Sequence, residues 1–172
     1  IINDKKFFDW LEKNSNKILK LNKNVISEAI YRSIKIKKKF VIKDEKEKLN
    51  NHHSRAILNY GHTFGHALEA YYKYNNKLKH GEAISIGMMI AAKISYKLKF
   101  LTFENYEKIK KHFLSINLPI FDENMYDKKI FNIILKDKKN INGKLNLILL
   151  KNIGKAFLNN KLSLKNIKKI VK

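Results

Sequence analysis

The stretch Gly61-His62-Thr63-Phe64-Gly65-His66, followed by His80-Gly81-Glu82-Ala83 and an apolar run to about Leu98, constrains this chain more than any other. Two glycines one helical turn apart clear one helix face for close approach by a neighbouring backbone or a ligand. Downstream, Ala83, Ile84, Ile86, Gly87, Met88, Ile90, Ala91, Ala92 and Ile94 read as a core helix from Gly81 to about Leu98. Its small residues permit tight helix packing. Three of the six histidines lie between positions 62 and 80. His62 and His66, at i and i+4, share a helix face with metal-site spacing. Thr63 stands where a zinc protease needs its glutamate, so that chemistry is excluded. Spacing alone leaves open both a metal site and a pair of helices packed through their glycines. Glu82 reads equally as a site residue or as a helix-start carboxylate.

Around this block the pattern is mainly helical, since a single proline and six glycines leave few breakers. Asp4 caps a first helix with apolar positions Phe7, Phe8 and Leu11. A second helix runs from about Val25 to Lys43, with Ile26, Ala29, Ile30, Ser33, Ile34 and Lys37 in a three-four rhythm. Residues 44–54 are polar and read as a loop. Ser54 caps a helix expected to run from Arg55 to about Tyr72, and Asn75-Asn76 marks a turn. Thr102 caps a helix to about Ile116. A helical pattern from Lys129 to Leu135 breaks at Asp137–Asn140 and Asn142-Gly143. Leu145–Leu150 and Lys155–Leu158, separated by Gly154, form a short hairpin, and Ser163 starts a last basic helix. The expected fold is therefore mainly α, one helical domain over 1–172 with a short β-hairpin near its end.

Composition removes several function classes. The chain has no cysteine, which excludes a disulfide framework and a thiolate zinc site; a metal must use His, Asp, Glu or water. No apolar run approaches the roughly 20 residues that span a bilayer, and the polar start carries no signal peptide. The chain starts at Ile1 without methionine, which reads as a beginning inside a longer protein. The net charge of +22 suggests nucleic acid. Of 37 basic residues, however, only Arg32 and Arg55 are arginine, the preferred reader of phosphates and base edges. Abundant Lys, Asn and Ile share AT-rich codons, so the charge reads as genome bias, with no nucleic-acid or membrane partner expected. His52, His53 and His112 read as incidental surface residues.

The pattern Arg55-x3-Asn59-x-Gly61-His62-Thr63-x-Gly65-His66-Ala67-x-Glu69, then His80-Gly81-Glu82-Ala83-x3-Gly87-Met88, closely resembles dehydroquinate synthases. The resemblance extends over essentially the whole chain. Phe7-Phe8-x-Trp10-Leu11-Glu12 is similar to the family's helix just after a metal-binding glutamate. Lys37-x3-Val41-Ile42-x-Asp44-Glu45-x-Glu47 resembles its Lys-to-Asp-Glu element. Asp137-Lys138-Lys139, Gly143, Leu147-Ile148-Leu149 and Ile153-Gly154 resemble its last block.

The resemblance implies a helical C-terminal domain that holds zinc, or another divalent metal such as cobalt, beside an N-terminal NAD-binding α/β domain absent from this chain. It implies His62 and His80 as metal ligands, with a glutamate ligand just upstream of Ile1. It places Lys37, Arg55, Asn59, His66 and one of Lys138 and Lys139, preferably Lys139, against the substrate, where Lys37, Arg55, Asn59, His66 and Lys139 would serve the reaction. The implied activity is a lyase of the shikimate pathway, in aromatic amino-acid biosynthesis. It converts 3-deoxy-D-arabino-heptulosonate 7-phosphate to 3-dehydroquinate and phosphate, in a cytoplasmic homodimer. Another sugar-phosphate cyclase of the same superfamily, or a Lys-rich nucleic-acid-binding module, are the competing readings.

Overall fold

The computed structural model describes residues 1–75, 77–136 and 145–171. Among them the expected mainly helical fold is present: α1 (Lys5–Leu19), α2 (Lys23–Lys43), α3 (His62–Tyr71), α4 (His80–Lys97), α5 (Phe103–Ser115), α6 (Lys128–Lys136) and α7 (Leu164–Val171). An antiparallel hairpin, β1 (Leu147–Asn152) and β2 (Lys155–Asn159), precedes α7, with Leu149 opposite Phe157. No helix of the described residues is long and apolar enough to cross a membrane.

Local chemistry sets most helix starts. Asp4 accepts from the Phe7 N–H, Asn22 from Val25, Thr102 from Asn105 and Ser163 from Asn166. Glu82 accepts from the Lys79 N–H at 2.8 Å, so its helix-start reading is the one the structure shows. Helix α4 is the centre of the domain: Ala83, Ile86, Ala92 and Ile94 are fully buried, as its all-round apolar pattern requires. Ser95, also buried, donates to the Ala91 carbonyl and accepts from the Leu150 N–H at 3.0 Å, which fastens α4 to β1. The hairpin turns at Gly154 (φ 85°), and the N–H groups of Gly154 and Ala156 donate to the carbonyls of Ile1 and Ile2. The first residues thus lie along the hairpin.

Two expectations need correction. The segment from Arg55 to Tyr72 is not one helix. A 3-10 turn, Arg55–Asn59, ends before Gly61, which adopts φ 85° and restarts the chain as α3. A left-handed residue cannot continue an α-helix, so the direction changes there. Helix α2 is present as expected, with its apolar rhythm lying mostly outside the core. Phe40 is its one buried residue, while Ile30 and Ile34 are 54% and 59% exposed. Finally, His112 is half-buried, its ring edge-on to Phe8 at 5.2 Å, and desolvation holds its imidazole below the ordinary value.

Helices α3 and α4 pack antiparallel through glycine. A Cβ on Gly87 would lie 2.0 Å from the Gly61 carbonyl oxygen, and one on Gly65 would meet the Ile84 side chain at 2.7 Å. The backbones therefore touch where Gly61 and Gly65 face Ile84 and Gly87. One turn further along the pair, Glu69 of α3 reaches His80 at the start of α4.

Candidate metal and substrate site

The α3–α4 contact gathers the three imidazoles that are separated in sequence. Ring centroids of His62 and His66 are 5.1 Å apart, those of His62 and His80 6.1 Å, and those of His66 and His80 6.0 Å. Donor atoms of His66, Glu69 and His80 all fall within 4.8 Å of one another. Imidazole and carboxylate donors without thiolate suit zinc or cobalt, so the residues present fit the implied metal.

The three rings are held differently. His62 Nδ1 lies 3.3 Å from the Tyr60 carbonyl oxygen, and His80 Nδ1 lies 3.0 Å from Glu69 Oε1. Both partners accept, so each Nδ1 donates, and for His80 this leaves Nε2 as the lone-pair nitrogen. His66 is exposed, and its ring nitrogens make no hydrogen bond to a described residue. Tyr60, which positions His62, is itself fixed: its buried hydroxyl donates to the Met88 carbonyl at 2.9 Å, and desolvation pushes its pKa upward.

A cleft of about 500 Å³ opens beside His62. Lys37 and Ile36 of α2, Arg55, Leu58 and Asn59 of the 3-10 turn, and Glu47 line it, together with Ile1 and Ile2. Arg55 Nη1 donates to the Glu45 carbonyl at 2.9 Å, and Asn59 Nδ2 faces Glu47 Oε1 at 3.4 Å. Two cations, an amide and an imidazole on one wall can bind an oxygen-rich anion. The structure thus brings Lys37, Arg55, Asn59 and His62 to one cleft, with His66 and His80 adjoining through the imidazole cluster. Lys138 and Lys139 lie outside the described residues.

Asp44, absent from the sequence-derived site, organises the loop behind Arg55. One carboxylate oxygen accepts from the N–H groups of Lys48 and Leu49 at 2.7 and 3.2 Å, the other from the Arg55 N–H at 2.9 Å. Desolvation raises the Asp44 pKa, but these donors and Ser54 outweigh it and hold the carboxyl below its ordinary value. A depressed carboxyl contributes stability above its unfolded pKa and loses it as pH falls through the folded value. Asp44→Asn should therefore melt below the parent at pH 7, and the gap should close in acid as the pH falls through the folded value of this depressed carboxyl. Thermal melts of both proteins across that range read this directly; a gap independent of pH would assign the loss to shape alone. Glu69 is the other unforeseen member. Its place at i+3 from His66 was the available signal, but its partner His80 is eleven residues away.

The description "3-dehydroquinate synthase C-terminal" matches residues 1–140. The chain is 46% identical over 175 residues to 3-dehydroquinate synthase of Thermodesulfovibrio yellowstonii, covering 99% of this chain and 46% of that protein. It is 45% identical over 158 residues to the enzyme of the same name from Pelagibacter ubique, covering 90% of this chain and 42% of that one. The chain spans about half the length of these curated relatives. Among solved structures, 2-epi-5-epi-valiolone synthase of Streptomyces hygroscopicus, with NAD+ and Zn2+ bound, shares the fold at TM-score 0.81 and 18% identity, over 99% of this chain and 46% of that one. A 2-deoxy-scyllo-inosose synthase aligns at TM-score 0.55 and 29% identity, over 74% of this chain and 33% of its own length. The chain belongs to the 3-dehydroquinate synthase C-terminal family.

Proposed function

We propose that this member of the family is the metal- and substrate-holding half of an NAD-dependent 3-dehydroquinate synthase, acting on 3-deoxy-D-arabino-heptulosonate 7-phosphate. The observation that carries the reading is the meeting of Lys37, Arg55, Asn59 and His62 on one cleft beside His66 and His80. His62 and His80 are the metal ligands, because each has Nδ1 against an oxygen acceptor, the outer partner usual for ligating histidine. A zinc or cobalt ion held by His62 and His80 would supply Lewis-acid polarisation of a substrate hydroxyl, and NAD would be the hydride acceptor. Arg55 and Lys37 hold substrate carboxylate and phosphate oxygens, Asn59 hydrogen-bonds a hydroxyl, and His66 and Lys139 contact the phosphate end. Such clamps fix the reacting pose, which supplies much of the rate.

The missing counterpart is an NAD-binding α/β half of the same enzyme. Two facts support it: the chain spans about half of its relatives, and α2 exposes Ile30 and Ile34 on the helix whose Ile36 and Lys37 line the cleft. That apolar stripe is the face the counterpart covers.

The purified 172-residue chain should bind NAD undetectably by calorimetry and give no product with added NAD and zinc. Joined to an α/β half, covalently or by mixing, it should turn over. Robust turnover by the chain alone would sink the two-domain account. A second reading, another sugar-phosphate cyclase, draws on the fold shared with 2-epi-5-epi-valiolone synthase. Preference of the joined protein for a neutral sugar phosphate over the sugar-acid phosphate would establish it.

A further inference from the structure

We infer that Glu69 is a positioning residue: its carboxylate holds the His80 imidazole as the Nδ1–H tautomer and aims Nε2 at the metal. The inference rests on the reading of His80 as a ligand. Glu69 Oε1 lies 3.0 Å from His80 Nδ1, with the Glu69 side chain 12% exposed and that of His80 62% exposed. A sheltered carboxylate thus grips a solvent-facing ring that nothing else among the described hydrogen bonds restrains. An ionised carboxylate offers only lone pairs, so the proton of this contact sits on His80 Nδ1 and the Nε2 lone pair is free.

The grip is rigid because both ends are. Glu69 sits on α3 one turn beyond Gly65, whose close approach to Ile84 fixes α3 against α4. The next residues anchor the end of the helix: Tyr71 donates to Asp127 at 3.0 Å and Tyr72 to Asp122 at 2.9 Å. His80 begins α4, whose first turn is closed by Glu82. His62 has the same arrangement with a backbone carbonyl in place of the carboxylate. Glu69 also belongs to the donor group with His66 and His80, so direct ligation is the rival role. The contact already made by Oε1 favours positioning, since ligating histidines ordinarily give their second nitrogen to such a partner.

The test uses the whole 172-residue chain labelled with ¹⁵N-histidine. Long-range ¹H–¹⁵N correlation, without metal and above the imidazole pKa, should show His80 as the Nδ1–H tautomer. Glu69→Ala should lose that preference and weaken Zn2+ binding about 10- to 100-fold in a chelator competition. Glu69→Gln, whose amide oxygen still accepts, should keep the tautomer and most of the affinity; it also serves if the alanine variant fails to fold. Unchanged tautomer and affinity in Glu69→Ala would overturn the proposal. So would Co2+ absorption showing one ligand fewer in Glu69→Gln with the tautomer intact, which would make Glu69 a ligand. His80→Ala separates the two levels: unaltered Zn2+ binding there would remove the ligand reading itself.

Discussion

His80→Ala and His62→Ala should each strip the metal from the enzyme joined to its α/β half and reduce turnover by at least about 1000-fold. Catalytic zinc usually has three protein ligands and an open position. A total site energy of about 10–16 kcal/mol spread over a full ligand set assigns roughly 3 kcal/mol or more to each. Loss of one ligand therefore lowers affinity by about 100-fold or more, and a misplaced residual ion no longer polarises the reacting oxygen. His66→Ala should differ in kind. It should retain metal stoichiometry while raising KM or lowering kcat. Metal analysis by mass spectrometry, with steady-state kinetics on the three variants, distinguishes these outcomes. Full metal in His62→Ala and His80→Ala would remove both from the ligand set. Metal loss in a folded His66→Ala would restore the i,i+4 pair as the binding unit.

Gly87→Ala should be the most damaging single-methyl change in the domain. The added Cβ would sit 2.0 Å from the Gly61 carbonyl oxygen and 2.8 Å from the Gly65 nitrogen. Both obstacles are backbone, so no side chain can swing aside. Overpacking of this kind costs about 3 kcal/mol or more, which lowers the melting temperature of a chain this size by roughly 6–12 °C. The site should fail along with the fold, because the same contact spaces α3 from α4 and sets the distances between His62, His66 and His80. Gly81→Ala is the internal control: nothing lies within 4 Å of a Cβ there, and helix propensity alone predicts a neutral or slightly stabilising effect. Thermal melts and Zn2+ titration of the two variants test this. Parent-like stability in Gly87→Ala would show that α3 and α4 can separate without cost.

Much of the fold was legible because helix starts and hairpin turns depend on neighbours within a few residues. Asp4, Thr102 and Ser163 cap the elements expected of them, and the apolar run after His80 forms the central helix. The break at Gly61 was harder to read. A glycine inside a helical pattern suits both a packed helix and a left-handed turn, and the approach of Gly87 and Met88 decides between them. The exposed face of α2 has a related cause: apolar periodicity shows that a face must be covered, not which partner covers it.

The sequence by itself determined the donor types, the helical scaffold and the family pattern: imidazoles without thiols, cations near Asn59, and two glycines a turn apart. Only the tertiary structure decided what holds the rings of His62 and His80. These are the Tyr60 carbonyl for His62 and Glu69 for His80. Likewise, only folding joined Asp44 to the Arg55 backbone across eleven residues. The physical reason is range. A cap or a turn is settled by groups already adjacent along the chain, whereas a hydrogen bond to an imidazole requires two helices at a fixed separation, set here by glycine backbones in contact.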